Sequence, residues 1–178
     1  MTQDPAGDGP HPRSAGAEPD QAAFARQIVL RQLTAAPRSR GQLEETLRQK
    51  NCPDDVAAAV LDRMEEVGLV DDEAYAGMLV RSQQQGRGLA RRALAQELRK
   101  KGVDPETAQR ALDEVDPEAE RERARELVAK RLRSMSGLDV TVQTRRLAGM
   151  LARKGYPSDV AMAVVREAVR EAPEHQRD

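Results

Sequence analysis

The sequence predicts an all-α protein in which three tandem three-helix repeats stack into an elongated, curved array. A short phrase recurs three times, as LRQKNCP at 47–53, LRKKGVD at 98–104 and LARKGYP at 151–157. Its spacing of about 50 residues is typical of stacked helical modules. Apolar residues also recur at helical intervals along most of the chain, and no useful stretch has the alternation of a strand. Stacked modules form extended binding surfaces more readily than a single catalytic cleft.

The first helix of each repeat is indicated by apolar residues three and four positions apart, which lie on one helix face. These sets are Ala25, Ile28, Val29 and Leu33 in the first repeat, Tyr75, Met78 and Leu79 in the second, and Ala124, Leu127 and Val128 in the third. We expect each set to face the core of its own repeat.

The second helix of each repeat is marked by two leucines four positions apart. The pairs are Leu43 and Leu47, Leu94 and Leu98, and Leu147 and Leu151. These helices are predicted to end at Asn51, Gly102 and Gly155, because asparagine and glycine tolerate the left-handed conformation that terminates helices. The apolar residue that follows each of them can close the cap.

The third helices are predicted to begin near Asp54, Asp104 and Ser158, whose side chains are of the types that cap helix starts. Their apolar faces comprise Val56, Val60 and Met64 in the first repeat and Val160, Val164 and Ala168 in the third. In the third repeat the connection between the first two helices, residues 134–139, is predicted to be a flexible turn.

The domain organisation follows from this pattern and from composition. Residues 1–21 are rich in proline and acidic residues and contain one arginine. Such a segment buries too little apolar surface to offset its ordering entropy, so we expect a disordered acidic tail. The three repeats are placed at 22–70, 71–115 and 116–172, and residues 173–178 form a frayed end. One repeat alone buries too little to be very stable, so neighbours complete its core.

Composition favours a soluble cytoplasmic protein. The single cysteine, Cys52, excludes an internal disulfide and fits a reducing compartment. No apolar run is long enough to span a membrane, and the N-terminus lacks the apolar stretch of a secretory signal.

The sequence lacks the residue combinations and motifs that are typical of enzyme active sites. Both histidines, His11 and His175, fall in the predicted tails, so neither a catalytic triad nor a zinc site can form in the body. No phosphate-binding or dinucleotide-binding glycine motif occurs. The acids at 71–73 are interpreted as a helix start rather than a metal site, and Cys52 as a core residue. We expect no catalytic residue, no metal, no cofactor and no enzymatic activity.

A basic segment at 81–101 is the main candidate for a binding surface, although the net charge of the chain is only −1. Its cations could contact phosphates or an acidic protein face; the alternative is a solvated helix face. Without interleaved aromatic residues it lacks a platform for base stacking, which favours a protein or nucleoprotein partner over free DNA. The candidate contact residues are Arg81, Arg87, Arg91, Arg92, Lys100 and Lys101, with Arg145 and Arg146 in a second, weaker cluster.

A family resemblance emerges at the junction of the first two repeats. The segment LDRMEEVGLVDDEAYA at 61–76, then Arg81, Gly86, Gly88 and ELRKKGV at 97–103, resembles the RecX family of bacterial RecA regulators. The match extends over about 24–170, is strongest across 60–103, and is looser in the third repeat. The tail lies outside it.

This resemblance implies a helical, non-enzymatic protein that binds RecA in the groove of its filament on DNA. It further implies suppression of the ATPase, strand-exchange and coprotease activities of RecA, and so a role in DNA repair, recombination and the SOS response. Family members also bind DNA, either single- or double-stranded, and we expect a monomer. Two alternatives remain open: a direct DNA binder of helix-turn-helix type that uses Arg91 and Arg92, and a helical-repeat adaptor unrelated to recombination.

Overall fold

The computed structural model describes residues 17–173, in which nine helices and no strands occur. The helices are α1 (Ala17–Ala35), α2 (Arg40–Gln49), α3 (Asp54–Glu66), α4 (Asp72–Arg87), α5 (Arg91–Lys100), α6 (Pro105–Asp113), α7 (Pro117–Arg133), α8 (Val140–Arg153) and α9 (Ser158–Glu171). The predicted all-α class is confirmed. None of these helices combines the length and the apolar character needed to cross a bilayer.

The start of α1 corrects one boundary. The acidic tail was predicted to extend through residue 21, yet 17–21 belong to the first turn and a half of α1. The remainder of the predicted tail, residues 1–16, and residues 174–178 of the predicted frayed end lie outside the described residues.

Contacts divide the chain into two compact units. The first contains α1, α3 and most of α2, and its core is built on the fully buried Leu43, Leu47 and Leu61, with Val29 of α1 packed among them. The predicted faces of α1 and α2 therefore do point into a core.

The second unit, which comprises residues 39–42 and 71 onward, contains two apolar cores. One is formed by α4, α5 and α6 around Leu94 and Leu98, and the other by α7, α8 and α9 around Leu147 and Leu151. The chain entering α5 contributes to both cores, because its neighbouring residues point in different directions. Leu89 packs into the first, and Ala90 packs into the second.

The ends of α2, α5 and α8 share one geometry, as the sequence predicted. Asn51, Gly102 and Gly155 all have positive φ, at 58°, 71° and 90°. After α5, the Val103 N–H donates to the Leu98 carbonyl at 3.1 Å, and the Gly102 N–H donates to the Arg99 carbonyl at 3.0 Å. The same two bonds recur after α2 and α8, so each helix ends in a Schellman motif.

The starts of the third helices agree less well with prediction. All three begin where expected, but only Asp104 caps its helix through its side chain, which accepts from the Glu106 and Thr107 amides. The equivalent positions in α3 and α9 are Pro53 and Pro157, which carry no side-chain acceptor. Asp54 and Ser158 are the first helical residues and not the caps, so the capping prediction was wrong for them.

The connection between α7 and α8 is a turn, as predicted, and it contributes one residue to the adjacent core. Met135 is 3% exposed and belongs to the core around Leu147. The fully buried side chain of Gln143 donates from Nε2 to the Met135 carbonyl at 3.0 Å. A buried amide satisfied in this way fixes the path of the backbone.

Candidate interaction site

The basic segment at 81–101 occupies two helices and the turn between them. Arg81 and Arg87 lie on α4, Arg92 lies at the start of α5, and Lys100 lies at its end. Because α5 has ten residues, its two ends are about 15 Å apart. The cations are therefore distributed along a surface and do not form one compact cluster.

Glu97 brings two of the candidates together. Its Oε1 lies 3.9 Å from Arg87 Nη1 and 3.3 Å from Lys100 Nζ, and Arg87 also donates to Gln83 Oε1 at 3.2 Å. The cation side chains are largely exposed, and exposed ion pairs contribute about 0–1 kcal/mol. An incoming anion can therefore displace Glu97 at small cost.

Arg91 is engaged within the fold. Its Nη2 donates to Asp113 Oδ1 of α6, and its backbone N–H donates to Glu120 Oε2 of α7 at 2.8 Å. The Glu120 carboxylate thus caps the start of α5, which has no capping side chain of its own. Arg91 therefore stabilises the packing where α5, α6 and α7 meet. Because its groups are engaged there, it is a weaker candidate for partner or DNA contact than Arg92.

The remaining candidates differ in exposure. The side chains of Arg81, Arg92, Arg145 and Arg146 are exposed, and no carboxylate within residues 17–173 forms an ion pair with any of them. Lys101 is only half-buried, and its carbonyl accepts a hydrogen bond from the Ser39 hydroxyl. The exposed arginines consequently offer the most accessible positive charge of the set.

The positions that could suggest chemistry have structural roles. Asp71 caps α4 by accepting from the Ala74 amide at 2.9 Å, and Asp72 accepts from the Arg40 amide at 2.8 Å. Cys52 is buried, and burial, together with Asp55 and Asp54, raises the pKa of its thiol. A raised pKa disfavours the reactive thiolate. Over the described part of the chain, no group of three metal-binding side chains comes together.

The sequence reasoning missed two cations that the fold places beside Arg87. Arg123 and Lys130 of α7 line the same cleft as Arg87 and Lys154. Their helix mixes both charge signs densely, so neither cation stands out from the sequence as part of a basic cluster. A spacing of seven residues, two helical turns, was the signal that could have placed both cations on one side of α7.

Comparison with known families gives matches along the body of the chain. A family model described as the first three-helix domain of RecX matches residues 25–64, the second matches 71–112, and the third matches 118–165. Among curated proteins, the regulatory protein RecX of Streptomyces coelicolor is 53% identical over 150 residues, which cover 84% of this chain and 80% of the relative. The regulatory protein RecX of Thermobifida fusca is 51% identical over 160 residues, 90% of this chain and 86% of the relative.

Solved structures with similar folds carry the same name. A crystal structure of RecX from Lactobacillus salivarius aligns with a TM-score of 0.77 at 21% identity, over 84% of this chain and 97% of that one. A crystal structure described as regulatory protein RecX aligns with a TM-score of 0.73 at 26% identity, over 83% of this chain and 73% of that one. The first of these likenesses concerns the fold alone.

Proposed function

We propose, since this chain belongs to the RecX family of regulatory proteins, that it binds the RecA recombinase filament on DNA and inhibits it. The proposed effect covers ATP hydrolysis, strand exchange and the coprotease activity of RecA, and acts without any catalysis by this chain. The protein would thereby limit DNA repair and recombination. The likeness along three consecutive domains supports this proposal, because it is not confined to one short motif.

The observation that carries the proposal at residue level is the exposed positive charge of the second unit. Arg81 lies on α4, Arg92 on α5, and Arg145 and Arg146 on α8, each on a helix with a well-packed apolar face. Cations on rigid helices lose little conformational freedom on binding compared with cations on a mobile tail. A filament on DNA offers repeated negative charge to such a surface.

The direct test is RecA-catalysed ATP hydrolysis on single-stranded DNA, with and without this chain. We expect inhibition at amounts of this protein below those of RecA, and no nucleotide hydrolysis by this chain alone. Unchanged RecA hydrolysis and strand exchange over a wide range of added protein would refute the proposed function.

The contact surface is tested by reversing two exposed charges, Arg81→Glu together with Arg92→Glu. We expect roughly a tenfold higher concentration for half-maximal inhibition, because two attractive contacts become repulsive. A matched control is Arg166→Glu together with Arg170→Glu, two exposed arginines of α9 that undergo the same total charge change. If both double variants weaken inhibition equally, net charge and not this surface sets the affinity.

A further inference from the structure

A groove between α7 and α9, here called the α7–α9 groove, is lined by none of the candidate contact residues discussed above. Its volume is about 390 Å³. Apolar side chains form its floor, and they are Ala129, Leu132, Val164, Ala168 and Ala172. Three of these five are alanines, and small side chains at a contact allow another helix to approach closely.

One stripe of α7 leads from the groove back toward the start of the helix. Its residues recur at intervals of four and three, and they are Glu118, Glu122, Arg125, Ala129 and Leu132. Residues with this spacing share one face of a helix, and the same spacing is found where two helices pack lengthwise. The fully buried residues of α7, Ala124 and Val128, belong to a different stripe, which faces the core.

The start of the groove stripe is acidic. Arg125 Nη1 lies 2.9 Å from Glu122 Oε2 and 3.4 Å from Glu118 Oε1. Its Nε lies 3.6 Å from Glu167 Oε2 of α9. One guanidinium therefore faces three carboxylates, which leaves an excess of negative charge. Because these carboxylates are exposed, their pairs within the chain are weak, and a further cation can share them.

The end of the stripe is basic. Arg133 lines the groove about 12 Å beyond Arg125 along α7. It forms no ion pair with a carboxylate of residues 17–173. The stripe thus changes from excess negative charge to available positive charge, and apolar side chains lie between the two.

Such a stripe is complementary to itself when two copies lie antiparallel. A twofold axis at the middle of α7 places each residue opposite the one that is equally far from the axis in the second copy. Glu122 and Arg133 are equally far from an axis between Leu127 and Val128, so each meets the opposite charge. The helix dipoles are also opposed in this arrangement, which is favourable. A partner with charge of one sign fits less well, because it meets like charge at one end.

The size of this face indicates a weak association. With its 17 residues α7 is about 25 Å long, and α7 and α9 side by side are about 20 Å wide. Each copy therefore contributes about 500 Å², or about 1,000 Å² for the pair, whereas stable specific complexes bury about 1,200–2,000 Å². A dimer of this kind forms only when the protein is concentrated.

We propose that the α7–α9 groove is a self-association surface, through which two copies of this chain form a weak symmetric dimer with antiparallel α7 helices. Arg133 of each copy pairs with Glu122 of the other, and each α7 covers the apolar floor of the other groove. The monomer expected from the sequence is then the form present at low concentration. This inference goes beyond the proposed regulation of RecA, because it concerns the chain by itself.

The test is sedimentation equilibrium of the full chain from low micromolar to several hundred micromolar concentration. We expect the average mass to rise from that of one chain, 19.6 kDa, toward twice that value. Arg133→Glu and Glu122→Arg each place like charges opposite one another, so each should weaken association about tenfold or more. An equal mixture of the two variants restores opposite charges at both contacts, and we expect it to associate about as strongly as the wild type.

Arg131→Glu is the matched control, because it makes the same charge change at an exposed position of α7 outside the groove. It should leave association unchanged. Three outcomes would overturn the proposal: a wild type that stays monomeric at every concentration, a mixture that associates no better than either variant alone, or equal weakening by Arg131→Glu and Arg133→Glu. Circular dichroism checks that each variant is folded. RecA ATPase inhibition is measured where the wild type is monomeric, so failure of the proposed regulation is a separate result.

Discussion

Tyr156 illustrates how one side chain links the end of α8 to the end of α4. Its ring is 3% exposed within the core around Leu147, and its hydroxyl donates to the Gly88 carbonyl at 2.9 Å. Burial raises the pKa of Tyr156 to about 12; the positive charge of Arg123 lowers this pKa, and Glu120 raises it. The phenol therefore stays neutral and keeps its hydrogen bond over the physiological range.

This environment predicts a loss of stability at alkaline pH. A tyrosine in the unfolded chain ionises near pH 10, whereas the pKa of folded Tyr156 is about 12. Its contribution is therefore complete below about pH 10 and is lost as the pH rises through 12. We expect the Tm from circular dichroism to fall between these values, and to fall less steeply in Tyr156→Phe. Identical pH profiles for the two proteins would show that another group controls the alkaline transition.

The conformation of a residue could be predicted where it depends on its neighbours in the sequence. The burial of a residue could not be predicted where it depends on tertiary contacts. The left-handed position of Asn51 follows from a pattern confined to a few neighbouring residues. The full burial of Gln143 depends on where the chain places the Met135 carbonyl. Its polar side chain would otherwise be assigned to the surface.

At the scale of helices, the glycine ends of α5 and α8 do more than terminate a helix. The Ala90 amide donates to the Lys154 carbonyl at 2.8 Å, and a Cβ atom at Gly155 would lie 2.4 Å from the Ala93 backbone nitrogen. Residues 39–42 make the corresponding contact with the end of α5, where Gly41 meets Gly102. Glycine is therefore favoured at the ends of α5 and α8 for two reasons: a neighbouring backbone packs closely against it, and its φ is positive.

Two glycine substitutions should have opposite effects on stability. Gly155→Ala adds a Cβ against Ala93 at a φ of 90°, so we expect a loss of about 2–5 kcal/mol from left-handed strain and overpacking. Gly86→Ala lies in the last turn of α4, where the added Cβ meets no atom within 4 Å. It should be neutral or stabilise by up to about 1 kcal/mol. Urea unfolding of both variants is the measurement; destabilisation of similar size at both positions would contradict the steric role assigned to Gly155.

The locations of the helices could be predicted because the spacing of apolar residues is a local signal. Where the charged side chains lie on the folded surface depends instead on how the helices pack. The leucine pairs located α2, α5 and α8 directly. The cations at 81–101 are contiguous in sequence, but the fold turns Arg91 toward Asp113 and aligns Arg87 with Lys130 and Lys154. No pattern within one helix specifies which face of α7 will meet α4.

At the scale of the second unit, two cores share one connection. The α4–α5 turn supplies Leu89 to one core and Ala90 to the other, and Arg91 is held by side chains of both α6 and α7. Backbone contact between the start of α5 and the end of α8 also joins them. These links are hydrogen bonds and close packing, which break together when either core opens. The two cores should therefore unfold cooperatively.

This coupling can be tested with Leu151→Ala, which removes a fully buried side chain from the core of α7, α8 and α9. We expect a loss of about 2–5 kcal/mol. If the cores unfold together, amide exchange should accelerate in α5 as well as in α8, because opening of the α8 end releases the bond from Ala90. Leu69→Ala, at a residue that is 51% exposed, is the matched control and should cost less than about 0.5 kcal/mol. Acceleration confined to α7, α8 and α9 would instead mean that the core around Leu98 is stable by itself, and that the shared turn transmits no stability between them.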